Sequence, residues 1–361
     1  MTDALLFTGE RILRSLFAFL RFLVRLERSI AARVAHGFSK TADTKGREAW
    51  SMRFLRNIQA RPEEGASGSA RRTGARTDGL GGRKALAGRG FLGWYFKHQR
   101  DGDMLAFIPG RAESGAFIQM LTPEGSRLFD VPALSLHGGV IRAGDSAFSA
   151  RGCTIRLPGV SGNITYGPLT PLQTDIMGPF RFFPMECRHG VISMAHALGG
   201  SVQIDGRTHA FDGGTGYIEM DSGTSFPRSY LWLQCNGFPE PCSIMVSAAD
   251  IPFCGFHFLG CIAAVVYRGQ EYRFATYRGV RVLCADAEHI RLSQGKLLLE
   301  IDMQARDAGH PLRSPVRGRM TGLIRESGNA CVRARLFREG RPVFDLCSSR
   351  AACEFVPFQK R

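Results

Sequence analysis

SVQIDGRTHAF, residues 201–211, decides the fold. Val202 and Ile204 alternate with polar residues up to Asp205-Gly206, a dipeptide that accepts the positive φ of a two-residue type I′ hairpin loop. Three further stretches repeat the arrangement: GWYFKHQRDGDMLAFI turns at Asp101-Gly102, AAVVYRGQEYRFATY at Arg268-Gly269 and ARLFREGRPVFDL at Glu339-Gly340. After residue 90 no long segment keeps a 3.6-residue apolar period, so the spacing predicts short antiparallel strands. No Gly-rich turn leads from a strand into a helix, which excludes nucleotide-binding Rossmann and P-loop folds. The predicted body is all-β, with hairpins at the spacing of barrels or sandwiches.

The bulk numbers agree with a folded body behind an atypical N-terminus. The chain has 361 residues, 44% hydrophobic and 22% charged, enough for one large core or two ordinary ones. Of its net charge of +15, residues 1–90 carry 18 basic and 8 acidic side chains, which leaves +5 for the remaining 271. A nucleic-acid enzyme would carry that footprint on its folded domain, so no specific nucleic-acid partner is expected. The ten cysteines form no CxxC pair, so neither zinc nor any other metal is expected; reduced thiols and a cytoplasmic location are.

From Leu5 to Val34, the residues Ile12, Leu16, Phe19, Leu20, Leu23, Leu26 and Ile30 fall at helical spacing with arginines on the other side. Charges interrupt this segment well before the ~20 apolar residues a span requires. The reading is an amphipathic helix over 1–35, lying on an anionic membrane surface or packing on the body or a partner. GASGSARRTGARTDGLGGRKALAGRG then marks a flexible basic linker over 36–90. No secretory signal is read at this end, because Arg14, Arg21 and Arg25 break the apolar run.

Within the body, YIEMDSGTSFPRSYLWLQCNGF (Tyr217 to Phe238) places two acids, Glu219 and Asp221, ahead of a turn and an aromatic run. Together with GWYFKHQ (Gly93 to Gln99), YGPLTPLQTDIMGPFRFFPMECRH (Tyr166 to His189), HPLRSPVRGRM (His310 to Met320) and SSRAACEF, it resembles the tocopherol cyclase family over residues 93 to about 356. The most specific match includes Tyr217, Glu219, Gly223, Phe226, Pro227, Trp232, Gln234, Cys235, Asn236 and Phe238. Where the plant enzymes favour Lys-Asn-Trp after the acid, this chain has Met220, Asp221 and Ser222. The resemblance implies two lipocalin-like antiparallel barrels or flattened sandwiches, related to those of carotenoid hydratases and divided near residue 215 into halves 91–215 and 216–361.

The resemblance also implies a reaction: a prenylated quinol is protonated at an alkene and its phenol oxygen closes onto the tertiary cation, with no cofactor. That chemistry needs an acid kept from water, an apolar cavity and aromatic faces toward the cation. Candidate acids are Glu219, Glu186 and Asp221, with Asp250 behind them, and candidate relays are His189 and His257. Trp232, Phe226, Phe182, Phe183 and Phe256 are candidate walls, and Tyr217 and Asn236 candidate substrate contacts. Each has an ordinary structural alternative. Glu219 could accept turn amides or pair with Arg228 or Arg313, Asp221 could shape the turn, and Glu186 could pair with Arg188. Trp232 and His257 could simply be core. Three functions stay open: a cyclase, a terpenoid hydratase using the same acid step, and a non-catalytic binder of lipid or quinone.

Overall fold

In the computed structural model the described residues are 90–253 and 256–358. The helix expected over 1–35 and the linker over 36–90 lie outside them, Gly90 excepted. The first part of the chain forms β1 (Phe91–Arg100), β2 (Asp103–Ala112), β3 (Gly115–Thr122), β4 (Gly125–Val131), β5 (Leu134–His137), β6 (Val140–Ala143), β7 (Ser146–Ser149), β8 (Gly152–Leu157), β9 (Val160–Tyr166), β10 (Cys187–Ile204), β11 (Arg207–Ala210) and β12 (Thr215–Gly223). The second forms β13 (Tyr230–Cys235), β14 (Cys242–Phe253), β15 (Phe256–Tyr267), β16 (Gln270–Ala275), β17 (Arg281–Ala285), β18 (His289–Gln294), β19 (Leu297–Ala305), β20 (His310–Val316), β21 (Arg319–Arg338) and β22 (Arg341–Val356). Among the described residues the only helices are two short 3-10 turns, so none is long and apolar enough to cross a membrane.

The strands make two antiparallel sheets, one ordered β4-β3-β2-β1-β12-β10-β9-β8-β7-β6-β5 with β11 on β10, the other β16-β15-β14-β13-β22-β21-β19-β18-β17 with β20 on β21. Each encloses its own apolar core, the lipocalin-like arrangement expected. All four hairpin loops form as expected, with Asp101, Asp205, Arg268 and Glu339 at φ between 48° and 54°. The change of sheet falls between Gly223 and Tyr230, so β12, placed with the second half from sequence, is hydrogen-bonded between β1 and β10 of the first.

The two-residue pleat explains what fills the space between the sheets. On β1, Trp94 and Phe96 enter the first core while Tyr95 faces the second sheet. On β12, Ile218 and Met220 enter the first core, which sends Tyr217, Glu219 and Asp221 the other way. On β13, Leu231, Leu233 and Cys235 enter the second core and Tyr230 and Trp232 face back. Alternation therefore places the acids of YIEMD and the rings of YLWLQ on opposing walls of one layer. Gln119 fastens the layer at its side: its amide nitrogen donates to the Arg313 carbonyl at 3.0 Å and its amide oxygen accepts the Arg313 N–H at 2.6 Å.

Candidate active site

Glu219 lies in the middle of β12 with 4% of its surface exposed. One carboxylate oxygen, Oε2, accepts the Tyr217 hydroxyl at 2.6 Å and the Trp232 indole N–H at 3.2 Å, and faces His189 Nε2 at 3.4 Å. The other imidazole nitrogen, Nδ1, lies 2.9 Å from Asp221 Oδ1. Strand pairing sets this chain of groups, because β10 runs antiparallel to β12 with His189 opposite Asp221 and Val191 opposite Glu219. His189 thus bridges two carboxyl groups two residues apart on one strand.

Electrostatics separates the members. Burial pushes the Glu219 carboxyl up to about 7, partly offset by the His189 cation and by the Tyr217 and Trp232 donors, while the Asp221 charge adds to the rise. Burial works against charging His189, but Asp221 and then Glu219 outweigh it and hold the imidazole cationic up to about 9. Glu219 therefore keeps its proton to higher pH than an ordinary carboxyl, with a histidine held cationic against the same oxygen.

These groups border a cavity of about 900 Å³, counting the part open to solvent, between the sheets. Phe180, Phe226, Tyr230, Trp232, Phe258 and Tyr277 supply its aromatic walls, and Met177, Met185, Ala249, Ile251 and Ile262 much of the rest.

Of the residues expected from sequence, Glu219, Asp221, His189, Trp232 and Phe226 meet at the cavity. Tyr217 is fully buried behind it and reaches it through Glu219. Asn236 is buried with its amide donating to the Gly216 carbonyl at 3.0 Å, and is not among the lining residues. Glu186 also lies outside the lining; its backbone carbonyl accepts the Thr224 N–H at 2.8 Å where β12 ends. Phe182 is 72% exposed under the Arg181 guanidinium, and Phe183 packs on Phe180 and Phe253 behind the lining. His257 is an exposed partner of Asp250 at 3.0 Å rather than a core histidine. Phe256 falls on β15, and its side chain lies outside what is described. Arg228 and Arg313 are both exposed, and the partners of Glu219 are Tyr217, Trp232 and His189 instead.

Sequence reasoning missed Glu354, which lines the same cavity from β22. It lies opposite Trp232 in the β13–β22 register, accepts the Tyr230 hydroxyl, and is pushed up to about 7 by burial and by the charges of Glu219 and Asp221. Behind it are Glu326, bonded by the Tyr95 hydroxyl, and the buried Lys97, which donates to Gln234 at 2.8 Å and is lowered to about 8 by burial. The signal was the acid in AACEF (351–355), one charge in an otherwise apolar and small-residue strand end.

His189, Glu219 and Asp221 also have their ligand atoms within 4.8 Å of one another, close enough to consider a metal ion. The two carboxylates, however, each stand nearest a different nitrogen of the one imidazole, the arrangement of a proton path through the ring. The set is better built to pass protons than to chelate.

Two curled antiparallel sheets with a buried acid at an apolar cavity between them define a class of all-β proteins with space for a small ligand. Residues 135–355 match the family described as tocopherol cyclase-like, and the chain belongs to that family. A probable chloroplastic tocopherol cyclase of Oryza sativa subsp. japonica is 27% identical over 211 residues, covering 52% of this chain and 44% of that protein. The chloroplastic tocopherol cyclase of Zea mays is 26% identical over 211 residues, covering 52% and 43%. The chain thus spans less than half the length of these curated relatives. Among solved structures, CghA with Sch210972 superposes with a TM-score of 0.50 at 12% identity, covering 74% of this chain and 88% of that one, a likeness of fold alone.

Proposed function

We propose that the protein is an enzyme that cyclises a prenylated quinol by proton transfer, an isomerase without cofactor. The observation that carries this reading is Glu219, a buried carboxyl raised to about 7 that lines a cavity with aromatic walls. Glu219 gives its proton to the alkene carbon of the bound tail, the positive charge develops on the neighbouring tertiary carbon, and the phenol oxygen closes onto it. The phenol proton leaves as the C–O bond forms, so substrate and product have equal mass. Trp232, Tyr230 and Phe226 present ring faces to the transient cation. His189, charged and anchored by Asp221, returns a proton to Glu219 after each turn. A positioned general acid of this kind contributes roughly 10² to 10⁴ in rate. The partner is a hydrophobic small molecule, and the basic amphipathic segment at the N-terminus brings the enzyme to anionic membranes where such molecules dissolve.

Incubation of the purified protein with a series of prenyl quinols, followed by mass spectrometry, tests the reading. The expected result is an isomer of unchanged mass that disappears with Glu219→Gln. A product heavier by one water replaces the cyclase with a hydratase, and saturable binding without turnover replaces it with a carrier.

A further inference from the structure

Phenol capture needs a second group, one that accepts the proton the oxygen gives up. We propose that Glu354, held by Tyr230, is this base, receiving the phenolic proton from the second sheet while Glu219 protonates the alkene from the first. The assignment rests on the cyclase reading above and deepens it.

Geometry distinguishes the two acids. Both line the cavity, Glu219 from β12 and Glu354 from β22, with Trp232 between them, bonded to one and in register with the other. Glu219 has a cationic imidazole beside it that can refill it. Burial holds both carboxyls at about 7, so their roles follow from their neighbours: Glu219 faces a cation that can supply a proton, whereas the groups bearing most on Glu354, Tyr230, Glu219, Asp221 and Glu326, include no cation to oppose the arrival of one. Its strand partner Glu326 is buried, bonded by the Tyr95 hydroxyl and outside the lining, so Glu354 is the member of the pair that reaches the cavity. The Tyr230 hydroxyl on Glu354 marks where a second phenolic oxygen finds an acceptor.

The protons balance. One passes from Glu219 to the alkene carbon, the phenol oxygen's lone pair makes the new C–O bond, and the O–H proton goes to Glu354. The product has the composition of the substrate. The site resets when Glu354 releases its proton to water at the open side of the cavity, His189 passes one to Glu219, and His189 takes one up from water in turn.

The test uses the full chain in D₂O with the prenyl quinol that the wild type cyclises best, comparing wild type, Glu219→Gln and Glu354→Gln. Glu354→Gln removes one of two facing buried carboxyls and is expected to fold, which circular dichroism melts check; Tyr230→Phe serves as the milder second variant. We expect Glu354→Gln to close the ring about 10²-fold more slowly. Deuterium should still enter its prenyl tail, because the cation forms and reverts. Glu219→Gln should show neither ring closure nor deuterium. A halogenated, more acidic phenol should restore part of the rate to Glu354→Gln and none to Glu219→Gln. Ring closure by Glu354→Gln at the wild-type rate overturns the assignment, as does loss of deuterium entry together with ring closure. A wild type that closes no ring and exchanges no deuterium overturns the cyclase reading, and this assignment with it.

Discussion

Glu219→Gln has a consequence for stability that follows from the site and needs no substrate. In the unfolded chain the carboxyl titrates near its ordinary value of 4.5, and in the folded protein burial holds it at about 7. Between those values the folded state binds a proton that the unfolded state has released, so stability is fully present below about pH 4.5 and is lost as pH rises through about 7. At about 1.4 kcal/mol per pH unit, the gap corresponds to about 3 kcal/mol. Glutamine cannot ionise, yet its amide oxygen still accepts from Tyr217 and Trp232. The wild type should therefore lose about 3 kcal/mol more than the variant between about pH 4.5 and about pH 8. For a folded unit of this size that is a difference of roughly 5 °C in melting temperature. Urea titrations and thermal melts of both proteins across this range measure it. Parallel curves for the two would show that Glu219 is not held protonated by the fold, and the acid would have to be sought elsewhere.

His189→Asn removes the cation that favours the Glu219 carboxylate, so the alkaline limb of the pH–rate profile, where the acid loses its proton, should move above about 7; a limb that stays or falls contradicts the relay. Trp232→Ala should cost about 3–5 kcal/mol in a denaturant titration through the void it leaves, whereas Trp232→Phe, which keeps an aromatic ring but loses the indole donor to Glu219 and some volume, should cost about 1–2 kcal/mol. Every strand of the two sheets pairs within residues 91–356, so deletion of residues 1–88 should leave a cooperative calorimetric transition; a broad, non-cooperative melt would mean that the missing segment completes a core.

The hairpins were legible because the signal is local: Asp205-Gly206 and its three counterparts need only two residues of the right conformational freedom between alternating strands. The acids of β12 and the rings of β13 were legible as candidates because they stand close in sequence, and the pleat then brought them together. Glu354 was not, because its place at the site comes from pairing with Trp232 across more than a hundred residues, a register that no local pattern encodes. Lys97 and Glu326 were missed for a related reason. A charged residue on an alternating strand reads as the solvent face, and here that face of β1 and β21 is covered by the opposite sheet. Phe182 shows the converse, an aromatic residue in an apolar stretch that the short turn Gly178–Phe182 directs outward.

The Glu219–His189–Asp221 group and the far wall of the cavity come from different sheets. Glu219, His189 and Asp221 come from β10 and β12, whereas Ser247, Ala249, Ile251 and Ile262, which shape the far wall, come from β14 and β15. Substitutions along that far wall can lengthen, bend or widen the space while leaving the proton donor and its histidine untouched. Lineages that keep the first sheet can therefore drift among ligands of different size and shape while keeping the Glu219–His189 pair, and directed evolution for a new ligand has a defined set of positions at which to begin.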